Sequence, residues 1–231
     1  MNSELLIIIP AYNEEENIEK TVDVIRNQYS QYDYIVVNDG SKDNTANICK
    51  KRGYELLDLP VNLGLAGGFQ AGMKYAYEKG YTYAIQFDAD GQHRPEFIIP
   101  MLKKIKEGYD IVIGSRFIDE RKDKSLRMLG SRMITAAIRV TTKVKVSDPT
   151  SGMRMFSSPM IEEFAKNLNY GPEPDTVSYL IKNGASVSEV KVVMDERQFG
   201  ESYLNMVNSI KYMLKMMISI LVVQNFRKRN K

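Results

Sequence analysis

Short, mostly apolar runs alternate with longer segments of helical periodicity along most of the chain. Runs of this kind, bounded by polar residues, are typical of strands in a parallel sheet. They occur at residues 5–9, 34–37, 55–59, 83–88, 111–114 and 187–193. Apolar residues spaced three or four apart predict helices at 17–28, 95–107, 133–140 and 176–183, and helices ending near 52 and 79. The pattern predicts an α/β fold, a mostly parallel sheet flanked by helices.

Polar loops follow several of the predicted strands, at residues 10–14, 38–45 and 88–92. In a parallel sheet the carboxyl ends of the strands meet at one edge, where ligands bind. Packing alone does not require three polar loops at that edge. The glycines of residues 62–68 lack the G-x-G-x-x-G spacing of a dinucleotide site, and we interpret them as a tight turn.

Asp88 and Asp90 end the apolar run at 83–88 and precede a glycine turn at Gly91. Alternation along an extended strand end would turn both carboxylates, and then Gln92, to one side. Two carboxylates brought together are costly unless a cation lies between them, and hard oxygen ligands suit Mg2+ or Mn2+. The sequence therefore predicts a divalent metal site at Asp88, Asp90 and Gln92. His93, the single histidine, is expected beside this site without binding the metal.

The composition is that of a folded domain: 43% of the 231 residues are hydrophobic and 26% are charged. The single Cys49 excludes an internal disulfide, and no signal peptide is recognisable. The net charge of +3 is unevenly distributed, because no acidic residue follows Glu201 whereas six Lys and Arg residues do. The basic character therefore belongs to the end of the chain.

Residues 204–226 predict one amphipathic C-terminal helix, so we divide the chain into a domain at 1–202 and a basic helix and tail at 203–231. Met206, Val207, Ile210, Met213, Leu214, Met217, Ile218 and Leu221 share an apolar face. The longest uncharged stretch, 216–226, is shorter than the ~20 apolar residues that cross a bilayer. We expect an in-plane helix on an anionic leaflet. Packing against the domain, a homo-oligomer or a small membrane-protein partner remains open.

Four segments, residues 9–14, 37–45, 62–64 and 87–92, resemble the motifs of family 2 glycosyltransferases of the GT-A (nucleotide-diphospho-sugar transferase) fold. Within that family the chain most resembles the dolichyl- and polyprenyl-phosphate sugar synthases. The narrower resemblance lies in residues 88–92, 113–117, 148–154 and 197–202, and the whole covers about residues 5–205. It implies a metal-dependent inverting glycosyltransferase at the cytoplasmic face of the cell membrane.

The resemblance also implies roles for individual residues. The nucleotide of the donor would be held by Pro10, Tyr12 and Glu14, its base by Asp39, and its diphosphate by the metal at Asp88, Asp90 and Gln92. Arg197 would contact the diphosphate from a mobile loop, although Tyr203 stands where relatives often carry lysine. Arg116 and a second arginine would bind the acceptor phosphate, with Arg132 preferred to Arg127.

Three functions follow as competing hypotheses. The first is transfer of a sugar from a nucleotide diphosphate, with UDP-glucose or UDP-N-acetylglucosamine as the expected donors, to polyprenyl (undecaprenyl) phosphate. The second uses a saccharide hydroxyl of a cell-wall or capsule polysaccharide as acceptor, with Asp175 as general base, although Asp175 also suits the start of a helix. The third is a silent, membrane-tethered, nucleotide-binding scaffold. No nucleic acid is expected as a partner.

Overall fold

The computed structural model describes residues 3–119, 126–168, 170–195 and 206–226. Seven strands form one sheet in the order β3-β2-β1-β4-β6-β5-β7. All neighbouring strands are parallel except where β6 pairs with β4 and β5. The strands are β1 Leu5–Ala11, β2 Asp33–Asp39, β3 Leu56–Leu59, β4 Tyr83–Gln86, β5 Ile111–Ser115, β6 Arg154–Ser157 and β7 Val187–Lys191.

Eight α-helices lie within the described residues: α1 Ile18–Gln28, α2 Thr45–Arg52, α3 Gly64–Lys79, α4 Ile98–Ile105, α5 Leu126–Thr142, α6 Ser158–Lys166, α7 Pro174–Lys182 and α8 Met206–Leu221. A 3-10 turn at Pro95–Phe97 precedes α4. The predicted mostly parallel α/β sheet is confirmed. The strand β6 and the helix α6 were not predicted.

Alternating residues of β1 contribute to different hydrophobic clusters. Leu6 and Ile8 belong to a cluster that includes residues of α3, α6 and α7, whereas Leu5, Ile7 and Ile9 belong to one that includes α1 and α4. Successive side chains of a strand point to opposite faces, so the sheet is covered on both faces as predicted. All five of these residues are fully buried. The central strand is therefore fixed in register, and the loop that follows Ala11 is placed with it.

Helix α8 packs against α5 and α7. A Cβ added at Gly130 of α5 would overlap the Met213 side chain, so the two helices approach closely there. Met216 and Ile220 are buried, whereas Leu214 and Ile218 are exposed. Met216 and Ile220 do not belong to the predicted apolar face. Of that face, Met213 and Met217 are partly buried against the core, whereas Leu214, Ile218 and Leu221 are exposed. The inward side of α8 is therefore rotated from the predicted face. No helix of the described residues is long and apolar enough to cross a membrane.

Candidate active site

The loop after β1 is joined to the loop after β2 by hydrogen bonds. The backbone N–H of Asn13 donates to Ser41 Oγ at 3.0 Å, and Asn13 Oδ1 accepts from the Lys42 N–H at 2.8 Å. The N–H of Glu14 donates to Thr45 Oγ1 at 2.9 Å. Asn13 has φ of +56°, a conformation that asparagine tolerates better than most residues. The segment with Pro10, Tyr12 and Glu14 therefore lies beside the segment that begins at Asp39.

Asp39 is the last residue of β2 and is 5% exposed. Its Oδ1 accepts the backbone N–H of Leu63 at 2.7 Å. A Cβ added at Gly68 would lie 3.6 Å from Asp39 Cγ, so the start of α3 approaches this carboxylate closely. Tyr12, by contrast, exposes 42% of its surface at the same edge. The arrangement gives a buried acceptor and an exposed aromatic ring at one edge of the sheet, a combination suited to a nucleobase.

The acidic residues of the predicted metal site follow β4 in a turn. Strand β4 ends at Gln86, and Gly91 has φ of +77°, so residues 88–92 are not an extended strand end as predicted. Glycine adopts this φ without the steric cost of a Cβ. The Gln86 side-chain amide donates to Asp88 Oδ1 at 2.8 Å, and Asp90 Oδ1 accepts the Gln92 N–H at 3.1 Å. Hydrogen bonds from residues two positions away in the sequence therefore orient both carboxylates.

His93 binds the backbone of Asp88 and lies near its carboxylate. Its Nδ1 accepts the Asp88 N–H at 2.9 Å, so this nitrogen is not available to a metal. The imidazole is 6% exposed, stacks edge-on against Phe87, and has its Nε2 3.6 Å from Asp88 Oδ2. A Cβ added at Gly152 would lie 2.6 Å from Asp88 Oδ2. Only a glycine therefore leaves room for the Asp88 carboxylate in this position.

The donor atoms at this turn fit a hard divalent cation. Asp88 exposes a third of its side chain, Asp90 is nearly buried, and Gln92 adds an amide oxygen. No group of three or more His, Cys, Asp or Glu side chains within the described ranges could hold a metal on its own. Mg2+ is usually bound by one or two carboxylates together with substrate phosphates, so two acids and an amide suit it.

Arg116 follows β5 and pairs with a buried carboxylate. Its Nε and Nη2 donate to Asp148 Oδ2 and Oδ1 at 2.7 and 2.9 Å, and its backbone N–H donates to Oδ2 at 3.2 Å. Asp148 has no exposed surface, whereas a quarter of the Arg116 side chain is exposed. Residues 148–154 contribute to the resemblance, but their pattern does not indicate that Asp148 is the partner of Arg116.

Another arginine, Arg154, which is not one of the predicted phosphate-binding residues, is almost completely buried at the start of β6. Its Nη2 donates to the Pro149 carbonyl oxygen at 2.7 Å, and its Nε has no hydrogen-bond partner within the described chain. Burial lowers the pKa of the Arg154 guanidinium, and the nearby Glu173 carboxylate is the strongest of the groups that oppose this shift. Arg154 was not predicted as a site residue, because in sequence it is one charge in a short strand.

The remaining predicted residues are Asp175, Arg132, Arg127 and Arg197. Asp175 is 8% exposed, and its carboxylate accepts the Thr176 N–H at 2.9 Å and the Ser219 hydroxyl at 2.6 Å. Arg132 is exposed on α5. The side chain of Arg127 and all of Arg197 lie outside the described residues.

Asp195 connects the acidic turn after β4 to the segment that follows β7. Its N–H donates to the Gln92 carbonyl oxygen at 2.9 Å, and His93 pairs with Met194 in an isolated antiparallel bridge. Arg94 Nε donates to Asp195 Oδ1 at 2.8 Å. The segment that precedes Arg197 in the chain is therefore fastened to the turn that carries Asp88 and Asp90.

Together, the mixed sheet, the joined polar loops and the acidic turn after β4 agree with the GT-A fold of glycosyltransferases. The model of the family described as "Glycosyl transferase family 2" matches residues 6–164, and the chain belongs to this family. This assignment favours an enzyme over the silent scaffold.

The names of three similar proteins refer to polyprenol, undecaprenyl phosphate or dolichyl phosphate. The chain is 28% identical to polyprenol monophosphomannose synthase of Mycolicibacterium smegmatis, covering 91% of the chain and 84% of that protein. It is 29% identical to undecaprenyl-phosphate mannosyltransferase of Micrococcus luteus, covering 87% of each. It is 30% identical to UDP-N-acetylglucosamine–dolichyl-phosphate N-acetylglucosaminyltransferase of Methanococcus voltae, covering 81% of the chain and 84% of that protein.

The fold is also similar to solved structures of glucosyl-3-phosphoglycerate synthase from Mycobacterium tuberculosis. The complex with phosphoglyceric acid has a TM-score of 0.72 at 18% identity, covering 98% of this chain and 81% of that one. The complex with Mn2+, UDP and glucosyl-3-phosphoglycerate has a TM-score of 0.67 at 19% identity, with the same coverage. At these identities the likeness shows the fold.

Proposed function

We propose that the protein moves one sugar from a UDP-sugar to polyprenyl phosphate, with inversion, at the cytoplasmic face of the cell membrane. One observation carries the proposal: a single loop, residues 147–152, touches both halves of the site. Gly152 lies against Asp88 on the donor side, and Asp148 holds Arg116 on the acceptor side. The loop therefore brings an acidic turn suited to a metal diphosphate close to an arginine suited to an anionic acceptor.

On the donor side, Pro10, Tyr12 and Glu14 would surround the nucleotide, and Asp39 would accept a hydrogen bond from its base. The 42% exposure of Tyr12 leaves its ring available for contact with a base. A UDP donor is supported by the name of the Methanococcus voltae relative and by the UDP in the solved neighbour. Because two relatives are named as mannose enzymes, GDP-mannose belongs in the test beside UDP-glucose and UDP-N-acetylglucosamine.

Asp88, Asp90 and Gln92 would hold Mg2+ or Mn2+, and the neighbour that contains Mn2+ with UDP supports this assignment. A divalent cation bound there would supply charge stabilisation for the departing nucleotide diphosphate. The chain's own contribution is to keep the two carboxylates oriented, through the Gln86 amide on Asp88 and the Gln92 N–H on Asp90. We expect Arg197 to add a cation to the diphosphate.

On the acceptor side, Arg116 would bind the phosphate through its planar guanidinium, with Arg132 as the second cation. A phosphate monoester carries about −1.5 to −2 charges near neutral pH, so it can attack without a general base. The saccharide alternative needs a base, and the observed Asp175 gives it less support because both of its oxygens accept hydrogen bonds at the α7/α8 interface.

Membrane association would use the outer surface of α5 and α8. This surface exposes apolar side chains of both helices, namely Leu129, Met133, Val140, Leu214, Ile218 and Leu221. Neither helix contains an acidic residue, and Arg132, Arg139, Lys211 and Lys215 are exposed on them. An apolar surface with only basic charge suits an anionic lipid leaflet. A homo-oligomer or a membrane-protein partner on the same surface is the alternative.

The test is transfer by the purified protein with Mn2+, a panel of the three nucleotide sugars, and undecaprenyl phosphate in vesicles. We expect a glycolipid whose formation stops with EDTA. Arg116→Ala should lower its formation severely, whereas Asp175→Asn should leave it within a few-fold of wild type. Failure to form a metal-dependent glycolipid with any of the three donors would reject the proposal, and transfer from GDP-mannose alone would reject the UDP donor. A severe effect of Asp175→Asn would favour the saccharide acceptor.

A further inference from the structure

Arg116 uses one edge of its guanidinium for Asp148. A guanidinium has two edges that can each form a pair of hydrogen bonds, and the Nε/Nη2 edge lies against the carboxylate at 2.7 and 2.9 Å. The edge formed by Nη1 and Nη2 is the one that does not lie against Asp148, and it can bind a second anion. Its Nη2 also donates a long hydrogen bond to Thr150 Oγ1 at 3.5 Å. The position of the carboxylate therefore fixes the direction in which Arg116 can present its other edge.

The backbone on either side of Asp148 is fixed by hydrogen bonds to another strand. The carboxylate of Glu189, from the middle of β7, accepts the N–H groups of Ser147 and Asp148 at 2.8 and 3.0 Å. Thr150 Oγ1 donates to Asp148 Oδ1 at 3.2 Å. Strand β7, which carries Glu189, pairs with β5, the strand that leads to Arg116. The support of Asp148 and the arginine that it binds are therefore positioned by adjacent strands of one sheet.

The following residues of the loop are fixed as well. The Pro149 carbonyl oxygen accepts from Arg154 Nη2 at 2.7 Å, and the Ser151 N–H donates to the Asp148 carbonyl oxygen at 3.2 Å. Arg154 belongs to β6, whose register places it opposite Ile113 of β5. The Asp148 carboxylate is fully buried on a constrained loop, so it has little freedom to move. The position of Asp148 therefore determines the orientation of the Arg116 side chain.

We propose that Asp148 is a positioning residue for the acceptor: it orients Arg116 so that the Nη1/Nη2 edge of the guanidinium meets an acceptor anion. The inference rests on the proposed function, in which Arg116 binds the acceptor phosphate. Preorganisation of this kind lowers the entropy that a flexible arginine would lose on binding. Removal of the partner that orients a metal ligand typically costs about tenfold to hundredfold in affinity or activity, and we expect a loss of the same order for an oriented arginine.

A double-mutant cycle tests the proposal with Asp148→Asn, Arg116→Ala and the double variant. We measure the KM for polyprenyl phosphate, kcat, and the Kd of UDP in the presence of Mn2+. Asp148→Asn should raise the acceptor KM about tenfold to hundredfold and change the Kd of UDP less than about twofold. In the Arg116→Ala background the same substitution should have almost no further effect, because Asp148 acts through Arg116.

Asp110→Asn is the matched control. Asp110 immediately precedes β5, at the opposite end of the strand from Arg116, and its carboxylate also bridges segments by accepting from Ser186. This variant should lower the melting temperature and leave the acceptor KM unchanged. If Asp148→Asn does not fold, the cycle is run with Asp148→Glu, which keeps the charge but moves it, and a raised acceptor KM is again expected.

The outcomes separate the two proposals. A wild-type protein that binds UDP with Mn2+ but transfers no sugar to polyprenyl phosphate would overturn the proposed function, and this inference with it. An active wild type in which Asp148→Asn and Arg116→Ala have multiplicative effects, or in which Asp148→Asn weakens UDP binding as much as it raises the acceptor KM, would overturn the positioning role alone.

Discussion

The hydroxyl of Tyr212 in α8 donates a hydrogen bond to the carboxylate of Glu173, the residue that precedes α7. Ser219 and Gln224 add hydrogen bonds to Asp175 from the same side. Met216 and Ile220 of α8 are buried in the same hydrophobic cluster as Val177 and Leu180 of α7. The interface between α7 and α8 therefore has both apolar and polar contacts, and Glu173 and Tyr212 are among the groups that act on the buried Arg154.

Tyr212→Phe should lower the free energy of unfolding by about 1–2 kcal/mol, because it leaves a charged carboxylate without its phenol donor. Urea denaturation measures this directly. Tyr77→Phe, at a more exposed tyrosine of α3, should change stability by less than about 0.5 kcal/mol. An effect of Tyr212→Phe no larger than that of Tyr77→Phe would show that the contact does not stabilise the docked helix.

The same contact should make the Tyr212 contribution depend on alkaline pH. Burial, and then the Glu173 carboxylate, raise the pKa of Tyr212 above its ordinary value. The stabilisation is therefore fully present below the unfolded tyrosine pKa of about 10 and is lost as pH rises above it, because the unfolded chain ionises first. The stability difference between wild type and Tyr212→Phe should shrink between pH 8 and pH 11. A constant difference would contradict the assignment.

Gly152→Ala should weaken Mn2+ binding at least about tenfold, because the new Cβ would lie 2.6 Å from Asp88 Oδ2 and force the carboxylate to move. Titration of Mn2+ in the presence of UDP, followed by electron paramagnetic resonance, measures the affinity without requiring turnover. Gly72→Ala is the control, since its Cβ would meet Ile8 Cγ2 at 2.5 Å within the core. It should lower stability and leave the Mn2+ affinity unchanged, and an unchanged affinity in Gly152→Ala would place the metal elsewhere.

His93→Ala should destabilise the turn after β4 by about 1–3 kcal/mol, because the Asp88 N–H loses its acceptor in a partly buried position. His93→Asn offers a side-chain oxygen at a similar distance and should recover part of the loss. Thermal unfolding of both variants gives the comparison. If His93→Ala abolished Mn2+ binding while leaving stability intact, the imidazole would be a metal ligand, contrary to its observed orientation.

Much of the donor side could be predicted from local sequence. The apolar run that ends near Asp88 and the polar segments after β1 and β2 place their residues at one edge of any parallel sheet. The hydrogen bonds between Asn13, Ser41 and Lys42 confirm that the first two loops meet. The glycine turn at Gly91 was predicted, but the strand was expected to stay extended through residues 88–92, whereas β4 ends at Gln86, because an alternating pattern does not show where a strand ends.

The acceptor side depends on long-range register, which local patterns do not contain. Strand β6 is only four residues long and enters antiparallel between β4 and β5, so it brings Arg154 beside Gln86 and Ile113. The same insertion places the loop before it against both Asp88 and Arg116. Neither contact follows from the spacing of charges in the sequence, and this is why Asp148 and Arg154 were missed.

The outer surface of α5 and α8 is expected to bind the membrane through its exposed apolar side chains. Leu214 and Ile218 are both more than half exposed on one side of α8. Insertion of two such side chains into lipid is worth up to about 1.5–3 kcal/mol each. Replacing both with serine should therefore reduce binding to vesicles of anionic lipid at least about tenfold in a flotation assay. Ile99→Ser, at an equally exposed apolar residue of α4, should leave vesicle binding unchanged.

Charge should act separately from this apolar contact. Lys211→Ser with Lys215→Ser should cost about 1 kcal/mol per lysine on anionic vesicles and nothing on neutral ones, and rising salt should erase the difference. The apolar variant should lose binding on both kinds of vesicle. If neither pair of substitutions changed vesicle binding while Leu214→Ser with Ile218→Ser altered the oligomeric state in sedimentation, the surface would be an interface between protein chains, and membrane association would have to come from elsewhere in the chain.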